Sequence, residues 1–195
     1  MKKSILVGML VFSLAALMVV GGTLAWFTSE AEVTNTFTAG TVEIEVVEDG
    51  AKGSIIENWN PGDTTDYDVS VKSLGSKQTY VRVKLEPVWY DGDEEAEVDE
   101  NNVELTLAED WEDYWVLADG WYYYKNILGE DDETSLLLDE VHLKGEETDN
   151  KYQGLTLKIK VEAQAVQASN KAYQDAWGIN SLPDGVEEWT GGANY

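Results

Sequence analysis

Leu155-Thr156-Leu157-Lys158-Ile159-Lys160-Val161-Glu162-Ala163-Gln164-Ala165 is the longest run of the chain in which apolar and polar residues alternate. A period of two belongs to a strand, because successive side chains leave a pleated backbone on opposite faces. Leu155, Leu157, Ile159, Val161, Ala163 and Ala165 then share one face, and Lys158, Lys160 and Glu162 face outward. Outward from this run the pattern recurs. Val42, Ile44 and Val46 alternate with Thr41, Glu43 and Glu45, and Tyr67, Val69 and Val71 with Asp66, Asp68 and Ser70. Val81, Val83 and Leu85 alternate with Arg82 and Lys84, and Val103, Leu105 and Leu107 with Glu104 and Thr106. Trp115-Val116-Leu117, Ala118-Asp119-Gly120 and Trp121-Tyr122-Tyr123-Tyr124 read as a hairpin whose Asp-Gly supplies the positive φ angles of a tight turn.

Breakers with a mechanism separate these runs: Asn60-Pro61-Gly62-Asp63, Leu74-Gly75-Ser76 and Tyr90-Asp91-Gly92-Asp93. Short strands at this spacing, without helices between them, predict an all-β, antiparallel, jelly-roll-like β-sandwich. One helix is expected, late: Ser169 caps Asn170 to Trp177, Gly178 stops it, and Ala172, Tyr173, Ala176 and Trp177 share a face. Asn180 to Tyr195 reads as loop.

The N-terminus has a different character. Lys2 and Lys3 precede an uncharged apolar stretch from Ile5 to Val20, which Gly21-Gly22 breaks before Thr23-Leu24-Ala25. This is the layout of a cleavable signal helix, residues 1–25, with the cut between Ala25 and Trp26. An uncleaved anchor is the rival reading, but the strongly apolar part is short for a span of about 30 Å. Residues 26–40 then form a strand-prone arm, Trp26 to Gly40, and residues 41–195 the sandwich domain.

Removing Lys2 and Lys3 leaves 11 basic against 38 acidic residues, a formal charge of −27. Such a surface repels nucleic acid and anionic lipid, so neither is expected as a partner; the membrane is met only through the signal. There is no cysteine, hence no disulfide. With 8 Trp and 10 Tyr the chain has too much aromatic surface to remain unfolded.

The residues give little catalytic chemistry. Cysteine nucleophiles are excluded, and the one histidine, His142, sits in Val141-His142-Leu143 as an outward strand residue. Neither a Gly-x-Ser-x-Gly elbow nor His-Glu-x-x-His is present. Asp91, Asp93, Glu94 and Glu95 form one acidic cluster and Glu130 to Glu133 another, but neither has EF-hand spacing. No catalytic residue and no cofactor is expected, calcium at these loops being the one alternative. Trp111, Trp115, Trp121 and Tyr122 to Tyr124 are read chiefly as core and cross-strand pairs. Three successive tyrosines cannot all face inward, so part of that aromatic surface is expected to be exposed or covered by a partner.

Gly21-Gly22-Thr23-Leu24-Ala25-Trp26-Phe27-Thr28, followed by Asn35-Thr36-Phe37-Thr38-Ala39-Gly40-Thr41, resembles the signal and mature N-terminus of the TasA/camelysin family. Asp119-Gly120-Trp121-Tyr122-Tyr123-Tyr124-Lys125, Val161 to Ala168 and Ala176-Trp177-Gly178 are similar to it as well. The resemblance implies export through the dedicated signal peptidase SipW. It also implies a jelly roll that polymerises into extracellular biofilm-matrix fibres of a Gram-positive bacterium, the N-terminal strand of one subunit completing the sheet of the next. The partners implied are further copies of the chain, head to tail, and an accessory fibre-anchoring protein. Carried onto this chain, the donor runs from Trp26 to about Ala39, with Trp26 or Phe27, then Val33, Asn35 and Phe37, as its inward set. Some members carry a metallopeptidase label, which one histidine and no zinc motif support little. The alternative to a fibre subunit is a monomeric cell-surface binding domain or a camelysin-like metallopeptidase.

Overall fold

The computed structural model describes residues 42–50, 55–56 and 60–191. The expected signal helix, the cut at Ala25–Trp26 and the arm with Trp26, Phe27, Val33, Asn35 and Phe37 lie outside the described residues. The elements are β1 (Ile44–Gly50), β2 (Ile55–Ile56), β3 (Thr64–Ser73), β4 (Thr79–Asp91), β5 (Glu94–Glu95), β6 (Val103–Leu107), α1 (Trp111–Tyr114), β7 (Trp115–Ala118), β8 (Trp121–Tyr124), β9 (Leu138–Leu143), β10 (Thr156–Gln167) and α2 (Ala172–Trp177). Among the described residues no helix is long and apolar enough to cross a membrane.

All pairings are antiparallel. One sheet has the order β1-β3-β9-β6, and the other β2-β10-β4-β8-β7 with β5 at the end of β4. The alternating run of β10 pairs with β4 along its whole length, from Thr156 opposite Tyr90 to Gln167 opposite Thr79. Its apolar residues Leu157, Ile159, Val161, Ala163 and Ala165 are buried. They meet Val81, Val83 and Trp89 of β4 and, across the sandwich, Tyr67, Val69, Val71, Val141 and Leu143. The β7–β8 hairpin turns as expected, with Asp119 at φ 51° and Gly120 at φ 79°. Positive φ at both positions matches the twist of the flanking strands, and Asp and Gly tolerate it best.

The structure departs from the sequence reading in places. Short helical turns do occur between strands, as α1 and a 3₁₀ turn at Asn150–Tyr152 show. Ser169 caps nothing: it is buried in a 3₁₀ turn, Asn170 and Lys171 take positive φ, and α2 begins at Ala172. Gly178 does end the helix, at φ 68°. Arg82 does not face water; it is 8 % exposed. The aromatic surface of β8 is covered by the chain itself at Tyr123 and Tyr124, while Trp121 and Tyr122 stay half-exposed. Tyr124 packs into the main core, while Tyr123 enters a second cluster with Tyr80, Val166, Tyr173 and Val186 on the outside of the second sheet. That cluster is roofed by α2 and the loop after it, which supplies Ile179, Leu182 and Trp189. The Tyr80 hydroxyl accepts a hydrogen bond from the Trp189 N–H at 2.8 Å, pinning the loop.

Candidate functional site at the sheet edges

An antiparallel sandwich meets its surroundings through the faces and edges of its sheets, and an unpaired edge is a template for another strand. β10 has β4 on one side throughout, whereas β2 reaches only Leu157 and Lys158 on the other. From Val161 to Gln167 no strand pairs with this second edge among the described residues. The stretch contains neither Pro nor Gly and no break in its register with β4. Beneath it lie Val161, Ala163 and Ala165, each at most 2 % exposed.

The other edges are less suited to a partner strand. β4 has a gap between β8, which pairs at Arg82 and Val83, and β5, which pairs at Tyr90 and Asp91. Pro87 stands in that gap and brings no N–H to a ladder. β7 is four residues long and β6 five. β1 is flanked by the exposed carboxylates of Glu43 and Glu45. β10 instead carries Lys158 and Lys160 on its outer face, both over the Tyr90 ring, at 4.4 and 5.9 Å from its centroid. Lys160 also pairs with Glu95 and, by that hydrogen bond, holds the Glu95 carboxyl below its ordinary range. The two lysines precede the open stretch and lie on the β4 side of β10, beside Asp91, Glu94 and Glu95.

The acidic clusters resolve into local structure. Asp91, Asp93, Glu94 and Glu95 surround the β4–β5 turn at Gly92, φ 63°. In the second cluster Asp132 Oδ2 accepts the Gly129 N–H at 2.8 Å, and Glu133 accepts from the Ser70 hydroxyl. His142 is a half-exposed outward residue of β9, as expected, with Nδ1 2.9 Å from Thr64 Oγ1 and Glu104 opposite it on β6. No group of three or more His, Asp or Glu side chains among the described residues is arranged to hold a metal ion. The donors present therefore do not fit a three-ligand metal centre in this part of the chain.

Sequence reasoning missed Arg82, the sole arginine of the chain. Its guanidinium lies between two indoles, 4.2 Å from the Trp121 ring centroid and 4.7 Å from that of Trp177. Its Nε and Nη2 donate to Gln164 Oε1 at 3.0 and 2.7 Å, and Nη1 to the Tyr123 hydroxyl at 3.0 Å. A planar, delocalised cation suits that slot and an ammonium does not. The available signal was an arginine where every other base is lysine, with tryptophans in both segments that come to flank it.

Fold and edges together define an antiparallel β-sandwich with a long strand edge that no strand among the described residues pairs. The profile of the camelysin metallo-endopeptidase family matches residues 1–105, more than half of the 195-residue chain. The chain belongs to that family. No curated protein matches it.

Proposed function

We propose that this chain is a secreted structural subunit that polymerises into extracellular matrix fibres by donating its N-terminal arm to a neighbour. In this reading a signal peptidase of the SipW type removes residues 1–25 on export, the product stays outside a Gram-positive cell, and Trp26 to Ala39 forms the donor. The observation that carries the reading is the open edge of β10 from Val161 to Gln167. In the sequence β1 follows the arm by a few residues.

A donated strand contributes backbone hydrogen bonds along the edge and inserts alternate side chains. Each large apolar side chain it buries contributes about 1.5–3 kcal/mol, so Trp26 or Phe27, Val33 and Phe37 together offset the ordering of the arm. The contact between one copy's arm and the next copy's edge is heterologous and does not close, so it propagates. While attached, the signal segment holds the donor back and delays assembly until export.

The chain lacks cysteine, so engineered thiols report cleanly. Thr36→Cys, on the outward face of the donor, and Glu162→Cys are made in separate molecules and mixed under mild oxidation. Disulfide-linked pairs are expected, together with loss of fibres in electron micrographs when residues 26–39 are deleted. A disulfide that forms only inside the doubly substituted molecule, and never in the mixture, would refute donation to a neighbour.

A further inference from the structure

We propose that Glu48 of one copy receives the Asn35 amide of a neighbour's donor and so sets the register of the donated strand. The inference rests on the strand donation proposed above. Of the inward residues Val33, Asn35 and Phe37, only Asn35 is polar. An amide carried between two sheets costs free energy unless it finds a partner there. The acceptor therefore needs a polar group on its inner wall, at one height along the edge.

Glu48 is such a group. It stands opposite Val69, which is fully buried, and opposed residues of an antiparallel pair turn to the same face. Its carboxylate thus lies on the inner side of the first sheet, where Ile44 and Val46 of the same strand join the main core. Oε1 accepts the Tyr67 hydroxyl at 2.9 Å, and Oε2 accepts from no side chain among the described residues. From the facing strand, β10 turns only the apolar Leu157, Ile159, Val161, Ala163 and Ala165 inward.

β1 and the open edge of β10 lie on the same side of the sandwich. β1 ends its sheet, and the chain passes from Gly50 of β1 to Ile55, beside Lys158 of β10, within a few residues. Their heights also agree. Ser73 and Thr79 flank one short loop and mark a common end of the two sheets. Glu48 is level with Val69, four residues from Ser73, and Ala163 is level with Val83, four residues from Thr79. Ala163 falls within the open stretch from Val161 to Gln167. Sheets pack about 10 Å apart, a gap that a glutamate and an asparagine side chain bridge between them. With Asn35 beside Ala163, the amide reaches Oε2, and in antiparallel register Thr36 falls beside Glu162. A slip of two residues would set Val33 or Phe37 against Glu48 and bury its charge without a donor, so the pair disfavours other registers. Residues 26–41 amount to about 50 Å of extended chain, enough to cover a neighbour's edge and return to β1.

The test is a cycle of substitutions in the full secreted chain, read as the critical concentration for fibre growth by light scattering. Asn35→Val and Glu48→Leu each leave one partner unpaired and should raise that concentration about tenfold. Together they set leucine against valine and should bring it back to within about threefold of wild type. Asn35→Asp leaves the sandwich untouched, opposes two carboxylates and should stop growth at neutral pH; Glu48→Gln in the same chain should restore it. Losses that simply add in the first pair, a single variant that grows like wild type, or no rescue of Asn35→Asp would overturn the pairing. The mixture of Thr36→Cys and Glu162→Cys chains separates the two claims. Linked pairs together with additive losses would leave donation standing and remove the pairing, whereas no linked pairs would remove both.

Discussion

Arg82 offers the sharpest test of how the C-terminal segment is held. Arg82→Ala removes two stacked cation–indole contacts, each worth about 1–2 kcal/mol when desolvated. It also leaves Gln164 Oε1 and the Tyr123 hydroxyl without their donor, at about 1–3 kcal/mol. Against this, the substituted protein no longer buries a guanidinium, which returns part of the loss. The net expectation is a destabilisation of about 2–4 kcal/mol, measured by urea unfolding with tryptophan fluorescence. Arg82→Lys keeps the charge but not the planar fork, so it should recover only a minor part. Because Trp177 forms one wall of the slot, Arg82→Ala and Trp177→Ala should couple by about 1 kcal/mol in a double-mutant cycle. Trypsin should also cut after Lys171 sooner in Arg82→Ala, since the helix leaves before the sandwich opens. Additivity within about 0.3 kcal/mol, or a wild-type Arg82→Lys, would refute the view that the arginine clasps the helix to the sheet.

Glu48 on β1 is pushed above the ordinary carboxylate range by burial, which the hydrogen bond from the Tyr67 hydroxyl only partly opposes. The folded chain therefore holds that proton more tightly than the unfolded one, and stability rises as pH falls through the raised value toward the unfolded one. Glu48→Gln should raise the melting temperature at neutral pH and flatten its gain on mild acidification; an unchanged slope would contradict this. Gly120→Val places a β-branched residue at φ 79° and should cost about 1–3 kcal/mol in urea unfolding, whereas Asp119→Asn should be nearly neutral. Fibre growth followed by light scattering should quicken with salt, divalent cations or mild acid, because each weakens repulsion between the acidic bodies; slowing with salt would refute this.

Much of the sandwich could be read from residue order alone, because its signals are local. The alternation of Leu155 to Ala165 needs only the strand period, and Asp119-Gly120 needs only the φ angles of a two-residue turn. Gly178 likewise ends α2 by its own conformational freedom. What escaped depends on residues far apart in sequence. Arg82 alternates with Val81 and Val83 as any outward residue would, and its burial is decided by Trp177, 95 positions later. Ser169 has the chemistry of a cap, but the chain must first turn through Asn170 and Lys171 to lay Tyr173 and Trp177 on the sheet. Tertiary packing there overrides a local preference. For the proposed assembly, the donor is an expectation from residue order that lies outside the described residues, while the candidate acceptor edge follows from which described strands stop short of β10.

Charge decides how such an edge is used. In the proposed assembly two copies without residues 1–25, each carrying −27, repel at long range, and the contact itself involves only a few charged groups. The long-range term scales with the product of two large net charges. At physiological ionic strength the Debye length is about 8 Å, which weakens repulsion between whole bodies more than attraction between groups in contact. Added salt thus removes more hindrance than help, and acid does so by neutralising carboxylates directly. The same imbalance opposes unwanted association: approach by an acidic face such as that bearing Glu43 and Glu45 stays unfavourable. Under the proposed assembly, a chain this acidic would remain dispersed until its arm is free and then grow along one axis as salt or acid lowers the repulsion.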